Sequence, residues 1–460
     1  MHGSSPALAR LGTEAAALLR IGGPLVAAQV AQMAMGFFDT VMMGRVGPVE
    51  LAAVAIGAGL WHTLFLLATG ILMALSPSVA QLRGAGQIDQ IAPLVRQSLW
   101  LAALLGAACF FALRHLEPLL AKLGIEPAII PITGDYLRAL SWGMFPIFIF
   151  MSFRLFSEGI ARTRPILGVI LPGLIINIVA NYALIFGHWG FPQLGALGCG
   201  AATALSMWLV LVAMLGFLFA DQGYRRYNLF QHWDWPDWRR LQPLLALGLP
   251  IGIGLFLETG VFAAVALLLG TLGAVAAAAH QIALNVAGMT FMIPLGLSMA
   301  TTVRVGYAIG RDDPAAARFS GLTGIGLSGL FMAAMAVLIF LAHHSIAAFY
   351  TDHTPVIVVA GGLLQLAALF QISDGLQVGA LGALRGLKDT RLPLLIVLVA
   401  YWLIAFPLGW LLGIHWGFGP AGPWIGLIAG LSVAAVLLNF RFRQLSARLA
   451  QQSLSRSDKV

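Results

Sequence analysis

Arg20-Ile-Gly-Gly-Pro24 and Ala246-Leu-Gly-Leu-Pro250 are one motif written twice, and in the same ungapped register Gly44, Gly47, Gly70 and Gly84 fall on Gly270, Gly273, Gly296 and Gly310. The offset is about 226 residues, close to half the chain. Further along, Glu158-Gly-Ile-Ala-Arg-Thr-Arg164 lies over Arg385-Gly-Leu-Lys-Asp-Thr-Arg391, and His188-Trp-Gly-Phe191 returns as His415-Trp-Gly-Phe418. The chain is a tandem duplication. Both copies are apolar over most of their length, so the repeated unit is a bundle of membrane spans, and a substrate path between two such bundles is the arrangement expected.

Composition agrees. Of 460 residues, 60% are hydrophobic and 10% charged, too few polar side chains to cover a water-soluble globule. The net charge of +8 does not point to nucleic acid, because the basic residues are scattered between apolar runs instead of gathered on one face. Apolar runs of about 20 residues or more are expected near 17–43, 50–82, 94–118, 131–157, 165–187, 194–220, 243–269, 275–307, 318–342, 355–383, 392–414 and 420–442. The fold class is therefore an all-α membrane protein of twelve transmembrane helices in two six-helix lobes. The expected divisions are an amino-terminal lobe over 1–220, a cytoplasmic linker over 221–240, a carboxy-terminal lobe over 241–442 and a basic tail over 443–460.

Charge bias orients the spans. Arg10, Arg20, Arg83, Arg96, Arg154, Arg162, Arg164, Arg225, Arg226, Arg239, Arg240, Arg304, Arg311, Arg318, Arg385, Lys388, Arg391 and the tail from Arg441 to Lys459 share one side. Arg45, Arg114, Lys122 and Arg138 fall on the other. Positive residues mark the cytoplasm, so both termini are expected there, in the inner membrane of a bacterium, with no cleaved signal peptide. Cys109 and Cys199 lie inside apolar runs and read as small hydrophobes. Trp233, Trp235 and Trp238, set among Arg225, Arg226, Arg239 and Arg240, mark the linker as a segment at the headgroup boundary.

Three acids stand inside spans: Asp39, Glu258 and Asp374. An ionised carboxylate at the centre of a span costs at least about 2.5–3.5 kcal/mol on insertion scales, so each must line a wet cavity, pair with a cation or hold a proton. Gln29, Gln32, Gly36 and Asp39 recur at helical spacing on span 1, as do Gln371, Asp374 and Gln377 on span 10. His280, Gln281 and Asn285 lie on span 8, Asn177 and Asn181 on span 5, and Thr203 on span 6. Uncharged amides of this kind supply oxygen ligands without adding charge. Two bland readings stand beside these: Asp39 as a structural partner of Arg45, and the amides as interhelical glue. Pro24, Pro77, Pro250 and Pro294 are expected to bend their spans. The acids do not repeat, since Asp39 falls on Val265 and Glu258 on Gln32.

Gly36-Phe-Phe-Asp-Thr-Val-Met-Met-Gly44, Ala279-His-Gln-Ile-Ala-Leu-Asn285, Leu257-Glu-Thr-Gly260 and Ser373-Asp-Gly375, set in a twelve-span duplication, resemble the multidrug and toxic compound extrusion (MATE) family in its NorM-type bacterial branch. The resemblance covers essentially the full chain. It implies two six-helix lobes arranged as a V and a cation antiport that exports cationic, amphipathic drugs and dyes. Carried over by motif, Asp39 with Asn177, Asn181 and Thr203, supported by Gln32, would form an amino-lobe cation site. Glu258 with Asp374 would form a carboxy-lobe site, lined by Gln281, Asn285, His280, Phe370 and Gln371. Some sodium-driven relatives carry a tyrosine where this chain has Phe370, which favours H+ over Na+ as the coupling ion, with transient Na+ open at either site. No cofactor, no fixed metal and no obligate protein partner are expected, and the chain is expected to act as a monomer.

A carboxyl group can bind a proton or face a cationic drug, but each disfavours the other, and that exclusion is antiport. A flippase for lipid-linked precursors, the nearest rival, would gather basic residues in its cavity to hold pyrophosphate. An intramembrane enzyme would need a motif such as His-Glu-x-x-His or Gly-x-Ser-x-Gly, and neither is present.

Overall fold

The computed structural model describes residues 6–122 and 124–457. Lys459 of the basic tail and the start of the amino-terminal lobe before Pro6 lie outside that set. Among the described residues the elements are all helical. Spans 1 to 6 are Ala9–Gly44, Pro48–Gly84, Ile88–Arg114, the pair Ile129–Ser141 and Met144–Gly159, Arg164–Phe186 and Gly195–Ala220. Spans 7 to 12 are Trp238–Thr271, Ala274–Gly310, Pro314–Tyr350, Thr354–Gly386, Arg391–His415 and Ala421–Gln452. Eleven of these spans are long and apolar enough to cross a membrane as they stand, and the bent pair taken together makes the twelfth.

Proline explains the irregular spans. Span 4 bends by 48° between Ser141 and Met144. Pro146 has no N–H to offer the carbonyl of Trp142, and that carbonyl instead accepts from Trp208 Nε1 at 3.1 Å. In span 2 the helix breaks at Met73–Ala74, and Met73 is the residue whose carbonyl Pro77 would otherwise have served. Pro24, Pro250 and Pro294, in contrast, sit inside unbroken helices. Span 11 widens into π-helix over Val399–Ala405 and again over Leu411–His415, on both sides of Pro407. Phe406 N bonds back five residues to the Tyr401 carbonyl, because the proline that follows disrupts the ordinary ladder.

The two copies of His-Trp-Gly-Phe share a left-handed glycine, Gly190 at φ 85° and Gly417 at φ 74°, although the preceding Trp189 is left-handed at φ 59° and Trp416 is not, at φ −91°. An L side chain is strained in that region, which is why both copies keep glycine there. Span 9 is started by Pro314 at its first turn and by the Asp313 side chain, which accepts from Ala316 N at 2.8 Å.

The chain divides into two compact units. One comprises Met1–Val26, Ala80–Gly86 and Ile253–Val460; the other comprises Ala27–Val79 and Gln87–Gly252. In the first unit the buried core is built from spans 7 to 12 around Trp424, Leu427, Leu431 and Phe442. Span 10 presents a line of small residues to its neighbours. A Cβ on Gly379 would lie 3.0 Å from Ile325 Cα of span 9, and one on Gly386 would lie 2.7 Å from Val305 of span 8. Ser298 Oγ donates to the Val378 carbonyl at 2.7 Å, and Thr302 Oγ1 to the Gly382 carbonyl at 2.8 Å. Close backbones tied by hydroxyls are how helices associate where lipid offers no hydrophobic drive. The same unit holds the amino end of span 1, where Arg304 clamps the Glu14 carboxylate with Nε at 2.9 Å and Nη2 at 2.5 Å, and Ser320 Oγ adds a bond of 2.6 Å.

The second unit carries the segment between spans 6 and 7. It is a docked strap. Arg96 Nε donates to Asp234 Oδ2 at 2.8 Å and Nη1 to the Leu229 carbonyl at 3.1 Å, and Trp100 Nε1 donates to the Asp234 carbonyl at 2.9 Å. Trp100 also stacks on Trp235. Burial pushes the Tyr224 phenol above its usual range, so it stays a neutral donor to Ser157 Oγ at 3.1 Å. Trp233, Trp235 and Trp238 remain exposed.

Candidate functional site: two intramembrane carboxylate clusters

Asp39 lies on the face of span 1 that meets spans 5 and 6. Asn177 and Asn181, one turn apart on span 5, are both fully buried. Asn181 Nδ2 donates to Asp39 Oδ1 at 2.5 Å and to Asn177 Oδ1 at 3.2 Å. Thr203 Oγ1 faces Asp39 Oδ2 at 3.5 Å and donates to the Cys199 carbonyl at 3.0 Å. The amide oxygen of Asn181 is buried with no partner in the protein. The cluster thus combines a carboxylate, hydroxyl and amide oxygens and one unused acceptor, the hard ligand set that suits a proton or a small alkali cation. Arg45 is exposed, and Asp39 takes part in no ion pair among the described residues.

Gln32 does not join this cluster. Its Oε1 accepts from Arg154 Nη1 at 2.9 Å, while Gln29 Oε1 accepts from Arg154 Nη2 at 2.6 Å. Arg154 Nε in turn donates to Glu158 Oε1 at 2.9 Å, with both side chains 2% exposed. Two further acids, Glu158 and Glu14, are buried near the ends of their spans. Both are held by arginines, and composition gives no sign of that pairing. Gln32 is drawn to the guanidinium two turns from Asp39 because a buried cation must fill its donors.

The second cluster is in the carboxy lobe. Glu258 on span 7 accepts from the Tyr401 hydroxyl at 3.1 Å, and Tyr401 accepts from Gln377 Nε2 at 2.5 Å. Asp374, one turn before Gln377 and 6% exposed, lies within electrostatic reach of Glu258 and Tyr401. Arg385, on the same helix, also acts on Glu258 through space. Neither acid forms an ion pair among the described residues. Tyr401 escaped the sequence reading because a tyrosine in an apolar run carries no charge signal. The π-helical stretch around Pro407 was its only local mark.

The other expected lining residues sit elsewhere. Gln281 Nε2 donates to Asn285 Oδ1 at 3.2 Å, so the two satisfy each other at exposed and half-buried positions and bond neither acid. His280, 2% exposed, packs edge-on against Trp424 with ring centroids 5.8 Å apart. Phe370 packs against Trp424 and Phe262. Gln371 is fully buried one turn before Asp374, and its amide has no protein partner. These three belong to the buried core of the lobe. Among the described residues no three His, Cys, Asp or Glu side chains gather to hold a metal.

A family model described as MatE matches residues 24–183 and again 250–411, once in each copy of the repeat. The chain is 42% identical over 459 residues to the multidrug resistance protein PmpM of Pseudomonas aeruginosa, covering 98% of this chain and 96% of that protein. It is 43% identical over 448 residues to a probable multidrug resistance protein NorM of Xanthomonas campestris pv. campestris, covering 97% and 98%. Its fold matches that of the eukaryotic MATE transporter AtDTX14 with a TM-score of 0.87 at 21% identity, over 96% of this chain and 99% of that one.

Proposed function

The chain belongs to the MatE family, and on that premise we propose that it is a cation-coupled multidrug exporter, releasing cationic amphipathic drugs and dyes in exchange for H+, with Na+ the alternative ion, by alternating access. It is a multi-span membrane transporter and not an enzyme. The expected setting is the bacterial inner membrane, with both termini cytoplasmic and the protein acting as a monomer.

One contrast carries the reading. Glu14 and Glu158 are buried and each has an arginine on its carboxylate, whereas Asp39, Glu258 and Asp374 face amides, hydroxyls and one another. A carboxylate with a fixed counter-ion is structural. One that lacks it must find a mobile positive charge, and a proton and a drug cation are rivals for that place. With one proton exchanged for one monovalent drug no net charge moves, and the cycle runs on the pH gradient alone.

The test is ethidium efflux from cells and from everted vesicles, with a pH gradient and a sodium gradient imposed separately. Asp39→Asn, Glu258→Gln and Asp374→Asn are each expected to lower efflux at least about tenfold at unchanged expression, the effect of losing an interaction with a charged group. Normal pumping by all three overturns the site assignment. Export driven by sodium alone overturns the choice of ion and leaves the site standing.

A further inference from the structure

Gln377 is buried, and its two amide atoms fare differently. Nε2 donates to the Tyr401 hydroxyl, while Oε1 has no partner in the protein. Tyr401, fully buried on the first π-helical stretch of span 11, donates its own hydrogen to Glu258. The chain Gln377, Tyr401, Glu258 therefore runs in one direction and ends on a carboxylate. A buried amide oxygen left bare is unfavourable, and at the far end of a polarised chain it points to a second arrangement in which it is used.

We propose that Tyr401 and Gln377 form a two-position hydrogen-bond relay that passes the protonation state of Glu258 on span 7 to span 10, one turn from Asp374. The proposal rests on reading Glu258 as a coupling carboxylate. The first position has the hydrogen bonds seen here, Tyr401 to Glu258 and Gln377 to Tyr401, and is the arrangement that an ionised Glu258 takes. When Glu258 takes up a proton from water, its new O–H donates to the Tyr401 oxygen. The Tyr401 hydrogen must then turn to another acceptor, and Gln377 Oε1 supplies it once the amide has turned over. The covalent changes are one O–H lost by the hydronium that delivers the proton and one O–H gained by Glu258. In each protonation state the Tyr401 hydroxyl both donates and accepts, with a different Gln377 amide atom engaged, so the relay has two positions.

The groups that bear on it are few. Glu258 on span 7 is hydrogen-bonded to the Tyr401 hydroxyl, Asp374 on span 10 is within electrostatic reach of it, and Arg385 is within electrostatic reach of Glu258. Span 12 packs on the same π-helical stretch, but its first charged side chain is Arg441, which is tied to Asp389 at 2.7 Å. Among the described residues, no basic side chain hydrogen-bonds to Tyr401 in place of the acid.

The test is pH-jump infrared difference spectroscopy on the full chain in lipid vesicles, with protons as the only ligand. Wild type is expected to give a carboxyl band that is lost in Glu258→Gln, together with a side-chain amide shift that is lost in Gln377→Met. Tyr401→Phe should keep the carboxyl band and lose the amide shift. An amide shift that survives in Tyr401→Phe, or one that is missing from wild type, overturns the relay. A carboxyl band that survives in Glu258→Gln overturns the reading of Glu258 itself, and the two failures are thereby told apart. Should Tyr401→Phe not assemble, Gln377→Met gives the independent arm. Its ethidium kcat is expected to fall about tenfold with KM within about twofold, and an unchanged kcat overturns the proposal.

Discussion

Arg154 shows how much a single side chain changes the meaning of those around it. It takes the amide oxygens of Gln29 and Gln32 and the carboxylate of Glu158, so three polar groups that could have belonged to a transport site become ligands of a fixed cation. In the repeat register Gln32 stands where Glu258 stands, and Glu158 where Arg385 stands. The amino lobe thus keeps a resident guanidinium beside the position that the carboxy lobe gives to an acid without an ion-pair partner. Arg154→Met leaves Glu158 buried without its counter-charge and should cost about 3–5 kcal/mol. The double variant Arg154→Met/Glu158→Met removes both charges and should recover much of that loss. Thermal unfolding of the purified chain in detergent measures both, and equal melting temperatures for the single and double variants contradict the pairing argument.

Among the elements, span 11 and the strap depend most on particular residues. Pro407→Ala restores an N–H and removes the clash with the preceding turn, so the stretch Val399–Ala405 is expected to tighten towards α-helix. A turn that loses its extra residue rotates Tyr401 away from Glu258. Ethidium efflux should therefore fall several-fold while the protein stays folded, and full efflux argues against a role for the widened turn. The strap between spans 6 and 7 hangs on Arg96, whose two bonds reach Asp234 and Leu229, more than a hundred positions away. Arg96→Ala should free it, and trypsin should then cut at Arg225, Arg226, Arg239 or Arg240 at least about tenfold faster, since cleavage follows the population of the opened form.

For the whole molecule, the two units do not follow the sequence halves. The unit built mainly from Ile253–Val460 also takes Met1–Val26 and Ala80–Gly86. A Cβ on Gly22 would lie 3.3 Å from Leu297, one on Gly84 would lie 3.1 Å from the Cα of Gly310, and Gln81 Nε2 donates to the Gly386 carbonyl at 2.9 Å. Gly84 and Gly310 are repeat partners, and they touch. A fragment beginning near residue 241 lacks these segments and leaves Arg304 without Glu14. Expressed alone it should be degraded or aggregate, and co-expression with the remainder of the chain should rescue it. A stable, monodisperse isolated fragment would contradict this.

Hydropathy and periodicity are local properties, and from them alone the sequence determined the duplication, the twelve crossings, the glycines that recur between copies and the acids set inside apolar runs. Spacing marked Asn177 and Asn181 as one-turn neighbours, but it was the resemblance to the MATE family that grouped them and Thr203 with Asp39. Which acids are neutralised is another kind of question, settled only by the tertiary structure. Arg154 and Gln32 are 122 positions apart, Tyr401 and Glu258 143, and Arg304 and Glu14 290. An ion pair or a hydrogen bond is decided by a few ångströms through space, and no pattern along the chain records that distance.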